Sequence, residues 1–204
     1  MNETDFLKHY AKGERNFAGI DLRGAVLTNA EMSHVNLIKA NLSGANLSGA
    51  RIIDSTLIGA HLSHTILGNA TLNNANLMNA DLTAANLLGA ELIDCNLVGA
   101  HLNQAILAHA ILKNISLTNA HLVGADFLSA QLHDVILVDA DLQQANFTEA
   151  NLSWSNLNGA NLRQAKLIKA HLRWTKLYKA DLTDSDLTQA ILSWTTMPDG
   201  KVHS

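Results

Sequence analysis

The chain has 204 residues, 48% of them hydrophobic and 16% charged, with a formal net charge of −4. That balance excludes a disordered chain and gives no global attraction to nucleic acid or to an anionic membrane. The single cysteine, Cys95, excludes an intrachain disulfide framework, and no stretch approaches the roughly 20 apolar residues of a membrane span. Met1-Asn2-Glu3-Thr4-Asp5 is polar and acidic with no apolar signal core behind it, so the chain reads as soluble and cytoplasmic, in a reducing compartment. Aromatic residues make up only 4%, so something other than large rings must fill the interior.

Residues 1–14 read as a capping segment. Residues 4–13 predict a short helix, with Thr4 as N-cap, Asp5 in the first turn and Gly13 as terminator. Phe6, Leu7, Tyr10 and Ala11 give apolar pairs at i, i+4. A solenoid needs its first coil covered, and this helix is expected to pack on Phe17 and Leu22.

From residue 15 to 197 the chain repeats every five residues. Every fifth position from Phe17 to Met197 is Leu or another large apolar residue, and of these 37 positions all but six are Leu, without a phase slip. Two residues earlier the residue is usually Ala, as in Ala40-Asn41-Leu42-Ser43-Gly44. A period of five fits neither a helix nor a plain strand. One unit buries one Leu and one Ala, too little to offset the entropy of ordering five residues, so the units must stack. Ala and Leu stand two apart and share one side of an extended segment, with the polar residue between them pointing out. The fifth position holds nine of the 12 glycines and several asparagines, such as Asn29 and Asn69. These are the residues that accept positive φ at the third position of a type II turn.

The number of sides comes from a second period. Trp154, Trp174 and Trp194 recur every 20 residues, as does the column Val35, Ser55, Cys95, Ile115, Val135, Ser155, Thr175 and Thr195, interrupted only by Ala75. One mixed column beside three nearly pure Ala columns implies four faces. The expectation is an all-β solenoid, a quadrilateral β-helix of about nine coils with a short N-terminal capping helix. Residues 198–204 form a tail holding a Pro198-Asp199-Gly200 turn. This is thin cover for the last coil, which leaves room for a homodimer through the C-terminal coil.

The Ala-(Asn/Asp)-Leu-x-x signature, repeated in phase over residues 15–197, resembles the pentapeptide-repeat proteins. The resemblance implies the right-handed quadrilateral β-helix of that family. The ends, Leu7-Lys8-His9-Tyr10-Ala11-Lys12-Gly13-Glu14-Arg15-Asn16-Phe17 and Met197-Pro198-Asp199-Gly200, are similar to those of cyanobacterial members, one of which modulates heterocyst differentiation. This implies a regulatory role without transferring it to particular residues. Other members imitate DNA to act on gyrase. Here Ile52 to Leu162 carries nine acids against one base, Lys113. That is about one net charge per 3.3 Å, half the density of duplex DNA, and the coil-interrupting loops of those members are missing.

The candidate site is an outward Trp column. Trp154, Trp174 and Trp194 stand where other coils carry Asp54, Asn74, Asp94 or Asn114. Stacked about 4.8 Å apart, they either shield the corner or mark an interaction surface. Val98, Val138 and Tyr178 belong to an apolar column on the far edge of the same face, and together these residues are expected to bind a protein partner or another copy of the chain. Arg163, Lys166, Lys169, Arg173, Lys176 and Lys179 form a charged collar. Spread around four faces, they argue for a solvated collar or for steering of a partner rather than a nucleic-acid groove. His61, Asp81, His101, His121 and Asp141 share one outward column, where a metal site and plain polar filling are the competing readings, and an open face argues against the metal. No catalytic constellation, phosphate loop or paired-Cys motif is present, so no enzyme, no cofactor and no membrane partner are expected.

Overall fold

Two sets of backbone hydrogen bonds build the coil. The turn bond joins Ala to the preceding Leu, as in Ala25 N–H donating to the Leu22 carbonyl (3.1 Å), and it recurs at almost every corner. The ladder bonds join coils: Leu22 N–H donates to the Asn41 carbonyl (2.7 Å), and Asn41 N–H donates back to the Ile20 carbonyl (2.8 Å). The resulting parallel bridges link each strand residue to the one 20 positions later, from Asn16–Asn36 to Lys176–Thr196. With a turn every five residues, a coil therefore has four sides, and the chain is a solenoid. These are the features of the computed structural model, which describes residues 1–203; Ser204, the last residue of the expected tail, lies outside the described residues.

The interior is filled by small and branched side chains. The Leu column from Leu27 to Leu177 and the Ala columns beside it are buried. Phe127 and Phe147 stack inside, 4.8 Å apart and nearly parallel. The mixed column takes polar residues because each finds a carbonyl in the coil below. The hydroxyls of Ser55, Ser155 and Thr175 donate to the carbonyls of Met32 (3.3 Å), Leu132 (2.6 Å) and Leu152 (2.8 Å), and Thr195 donates to Leu172. Buried hydroxyls without such partners would destabilise the core.

The outward polar position has a structural task that its composition alone does not show. The N–H two residues later, just past the Leu, lies at the turn where the ladder offers it no carbonyl. Asn41 Oδ1 accepts from Ser43 N–H (3.1 Å), Asn96 Oδ1 from Val98 N–H (3.1 Å) and Asp81 Oδ1 from Thr83 N–H (3.0 Å). Asn and Asp are the residues whose short side chains reach their own backbone two positions on.

The fifth position is left-handed at every corner from Gly19 to Trp194, at Ala84, Ser129 and Glu149 as well as at glycines and asparagines. The sequence pattern assigns the turn to Gly and Asn. The ladder above and below enforces it on every residue type.

The ends differ from the expectation in detail. Helix α1 spans Glu3–Ala11, and its N-cap is Asn2 rather than Thr4: Asn2 Oδ1 accepts from Asp5 N–H (2.8 Å). Asn2 caps its own N3 donor two residues earlier in the chain, which brings Thr4 into the helix. Gly13, with φ +94°, ends the segment. Phe6 is fully buried and meets Phe17 edge-on at 4.6 Å, while Arg15 stacks on the Tyr10 ring (3.9 Å) and donates to the Tyr10 carbonyl (2.8 Å). At the other end, β1 (Thr195–Thr196) pairs antiparallel with β2 (Val202–His203), so the tail folds back along one side of the last coil. Leu182, Leu187 and Leu192, on the other three sides, are only partly buried.

Candidate interaction face

The three tryptophans occupy the left-handed corner, with φ of 68° at Trp154, 60° at Trp174 and 61° at Trp194. Their backbones are fixed by the ladder: Trp154 N–H donates to the Arg173 carbonyl, Trp174 N–H to the Ser193 carbonyl, and Trp194 N–H to the His203 carbonyl of β2 (2.7 Å). The Cα–Cβ bonds therefore point outward one above another. The rings stack with centroids 5.2 Å apart in both steps and planes within 11°. Exposures of 55%, 44% and 53% show that the ladder stands in solvent.

A left-handed conformation costs an L-residue about 1–2 kcal/mol relative to the right-handed one. Asp and Asn alternate down this column from Asp134 to Asp54, with His34 below them. The Trp run is thus placed against backbone preference, and stacking returns only about 0.5–1.5 kcal/mol per pair.

On the far edge of the same face, Val98 and Val138 are half-buried, whereas Tyr178 is 46% exposed. The apolar column is therefore open to a partner mainly at Tyr178. Ile136, in the middle of the face and exposed, was not singled out by the repeat pattern, because it takes the position usually held by Asn. Its departure from Asn was the available signal.

The collar divides. Arg163 pairs with Asp181 (3.2 Å) and Lys169 with Glu149 (3.5 Å). Lys166 stands on another side of the coil, bridged to Asn146 and Asp186. Among the described residues, Arg173, Lys176 and Lys179 form no ion pair. Arg173 adjoins Trp174, Lys176 lies on the strand of the face, and the Lys179 ammonium sits 5.3 Å from the Tyr178 ring centroid. Lys166 is also unpaired among the described residues, so three of the four available collar charges lie on or beside the Trp-edged face.

The histidine column forms a shallow groove lined by Gly59, His61, Asn79, Asp81, Thr83 and His101. His101 and His121 stack at 4.6 Å with planes within 5°, so their nitrogens run side by side instead of converging. Among the described residues, no three His, Cys, Asp or Glu side chains gather closely enough to hold a metal ion. Partial burial pushes the Asp81 carboxyl up, but hydrogen bonding from Thr83 and the charges of His101 and His61 outweigh it and hold it below the usual value of 3.8. Burial pushes the Cys95 thiol up to about 12, and its Sγ lies 3.0 Å from the Leu72 carbonyl, which makes it an inert core residue.

This four-sided solenoid is a repeat protein whose stacked units contact only their neighbours. The Pentapeptide repeats pattern matches in eight copies over residues 16–52, 55–97, 95–127, 125–164 and 155–193, and the chain belongs to the pentapeptide-repeat family. HetL, a pentapeptide repeat protein involved in heterocyst differentiation regulation from the cyanobacterium Nostoc sp. strain PCC 7120, is 35% identical over 100% of both chains, with a TM-score of 0.55. Rfr23 from the cyanobacterium Cyanothece 51142 is 30% identical over 60% of this chain and 93% of its own, with a TM-score of 0.41. Full-length QnrB1, a plasmid-mediated fluoroquinolone resistance protein, is 21% identical over 86% of this chain and 90% of its own, with a TM-score of 0.46. No curated sequence matches the chain. Among the described residues, no helix is long and apolar enough to cross a membrane.

Proposed function

We propose that the chain is a non-enzymatic, cytoplasmic interaction scaffold: a right-handed rod of about nine coils, covered by α1 at its N-terminal end, that binds a protein partner through its Trp-edged face. The observation that carries this reading is the exposed ladder of Trp154, Trp174 and Trp194 in a backbone conformation unfavourable to Trp. Exposed Trp and Tyr beside Arg173 match the residue types that dominate protein-binding hot spots. Similarity to HetL over the full chain supports a regulatory role. The test is affinity capture from cyanobacterial lysate with the wild type and with a Trp154→Gly/Trp174→Gly/Trp194→Gly variant, Gly being the residue these corners accept without strain. A protein retained by the first and lost by the folded second is the expected result. Identical captures would overturn the assignment of the face.

A further inference from the structure

We infer that the Trp-edged face is built for a short, acidic protein segment, bound across the last three coils. The inference rests on the interaction reading above and names the chemistry of the partner. Three observations converge. The first is that the patch offers donors and cations. Each indole presents an N–H and no acceptor, and Arg and Lys are donors only. Because the rings cover one another's faces, they turn their edges outward, and the edge is the positive part of the aromatic quadrupole. Arg173, Lys176 and Lys179 add three charges not taken up by ion pairs among the described residues.

The second observation is that acids near the patch are few. Asp134 and Asp139 lie one coil below its foot, and Asp199 is held by Lys201 at 3.0 Å. At the head of the face, the β1–β2 hairpin bounds an open hollow of about 520 Å³ lined by Met197, Pro198, Asp199, Lys201, Val202 and His203. Its mainly apolar floor suits one apolar side chain of a segment whose carboxylates lie on the cations below.

The third is the geometry of the ladder, which excludes the other polyanion. Rings 5.2 Å apart leave no slot for a base, which needs about 3.4 Å on each side. A nucleic-acid strand long enough to bind would also run down the same face onto Asp139, Asp134, Asp94 and Asp54. An extended peptide rises about 3.3 Å per residue, so three or four residues span the two ladder steps and the segment can end before it reaches Asp134 and Asp139.

The experiment uses the full chain and fluorescence anisotropy with three probes: a labelled hexapeptide of two Glu-Glu-Leu repeats, the same peptide with Gln for Glu, and an oligothymidylate of equal length. The expected result is that the Glu peptide binds, quenches Trp fluorescence, and exceeds the Gln peptide by about tenfold or more in affinity. An Arg173→Gln/Lys176→Gln/Lys179→Gln variant, checked for an unchanged melting temperature, loses about tenfold, and so does Trp174→Gly. Equal binding of the Glu and Gln peptides overturns the acidic chemistry, as do an oligothymidylate that binds more tightly than the Glu peptide, an unaffected charge variant, and no Glu-peptide binding at about 1 mM. If any of these accompanies a Trp-dependent capture from lysate, the face remains a protein site of different chemistry. Loss of that capture as well removes the interaction reading itself.

Discussion

Replacing Trp174 separates two forces that act at one corner. At φ 60° its Cβ sits in a region costing about 1–2 kcal/mol. Against this, Trp174 stacks on both neighbours, for about 1–3 kcal/mol in total. Trp174→Ala keeps the strained Cβ and loses both stacks, so it should cost about 1–3 kcal/mol. Trp174→Gly loses the stacks but sheds the strain, at an entropic cost of about 0.5–1 kcal/mol relative to Ala. The Gly variant should therefore be more stable than the Ala variant by about 0.5–1 kcal/mol, or about 1–4 °C in melting temperature for a chain of this size. Thermal melts followed by far-UV circular dichroism measure this, with midpoints compared directly because repeat arrays depart from two-state behaviour. An Ala variant equal to or more stable than the Gly variant would refute the strained-corner reasoning. If the triple Gly variant melts with the wild type, the ladder adds nothing to the rod, and its exposure is left to serve binding.

Asn96→Ala removes the acceptor of the half-buried Val98 N–H and should cost about 1 kcal/mol in urea denaturation, whereas Asn96→Asp keeps the bond and much of the stability. An unchanged midpoint for the Ala variant would show that water replaces the side chain. Cys95 should not react with a thiol reagent in the native protein and should react fully in denaturant, since its thiol is buried and raised to about 12; rapid native labelling would contradict its inward placement. Stability should hold from neutral pH down to the usual carboxylate value of 3.8 and fall below it. Arg23 holds Asp21 down at about 2, and Asp81, Asp181, Asp186 and Asp199 are also lowered. A carboxyl whose folded value is depressed binds its proton more weakly in the native state, so protonation favours unfolding as the pH drops through the folded value. A melting temperature flat from pH 5 to 2 would refute this account.

The sequence by itself determined the repeat, its four-sided coil and the inward Leu and Ala columns, because burial at fixed spacing leaves a periodic trace whatever the other residues are. It also placed the Trp column outside, since the Ala and Leu positions fill the inside and the Trp residues stand at the turn between them. The sequence marked the corners by Gly and Asn, yet Glu149, Ala84 and the tryptophans adopt the same left-handed backbone. Only the ladder bonds of the coils on either side decide that, because they fix φ before side-chain preference has any say. Tertiary structure also decided which collar charges remain available. Arg163 meets Asp181 and Lys169 meets Glu149 across successive coils, 18 or 20 positions away in the chain, and such pairings depend on side-chain reach between stacked corners. The outward Asn and Asp appear in the sequence as mere polarity. Their bond to the N–H two residues on becomes visible only when the ladder has used every other acceptor.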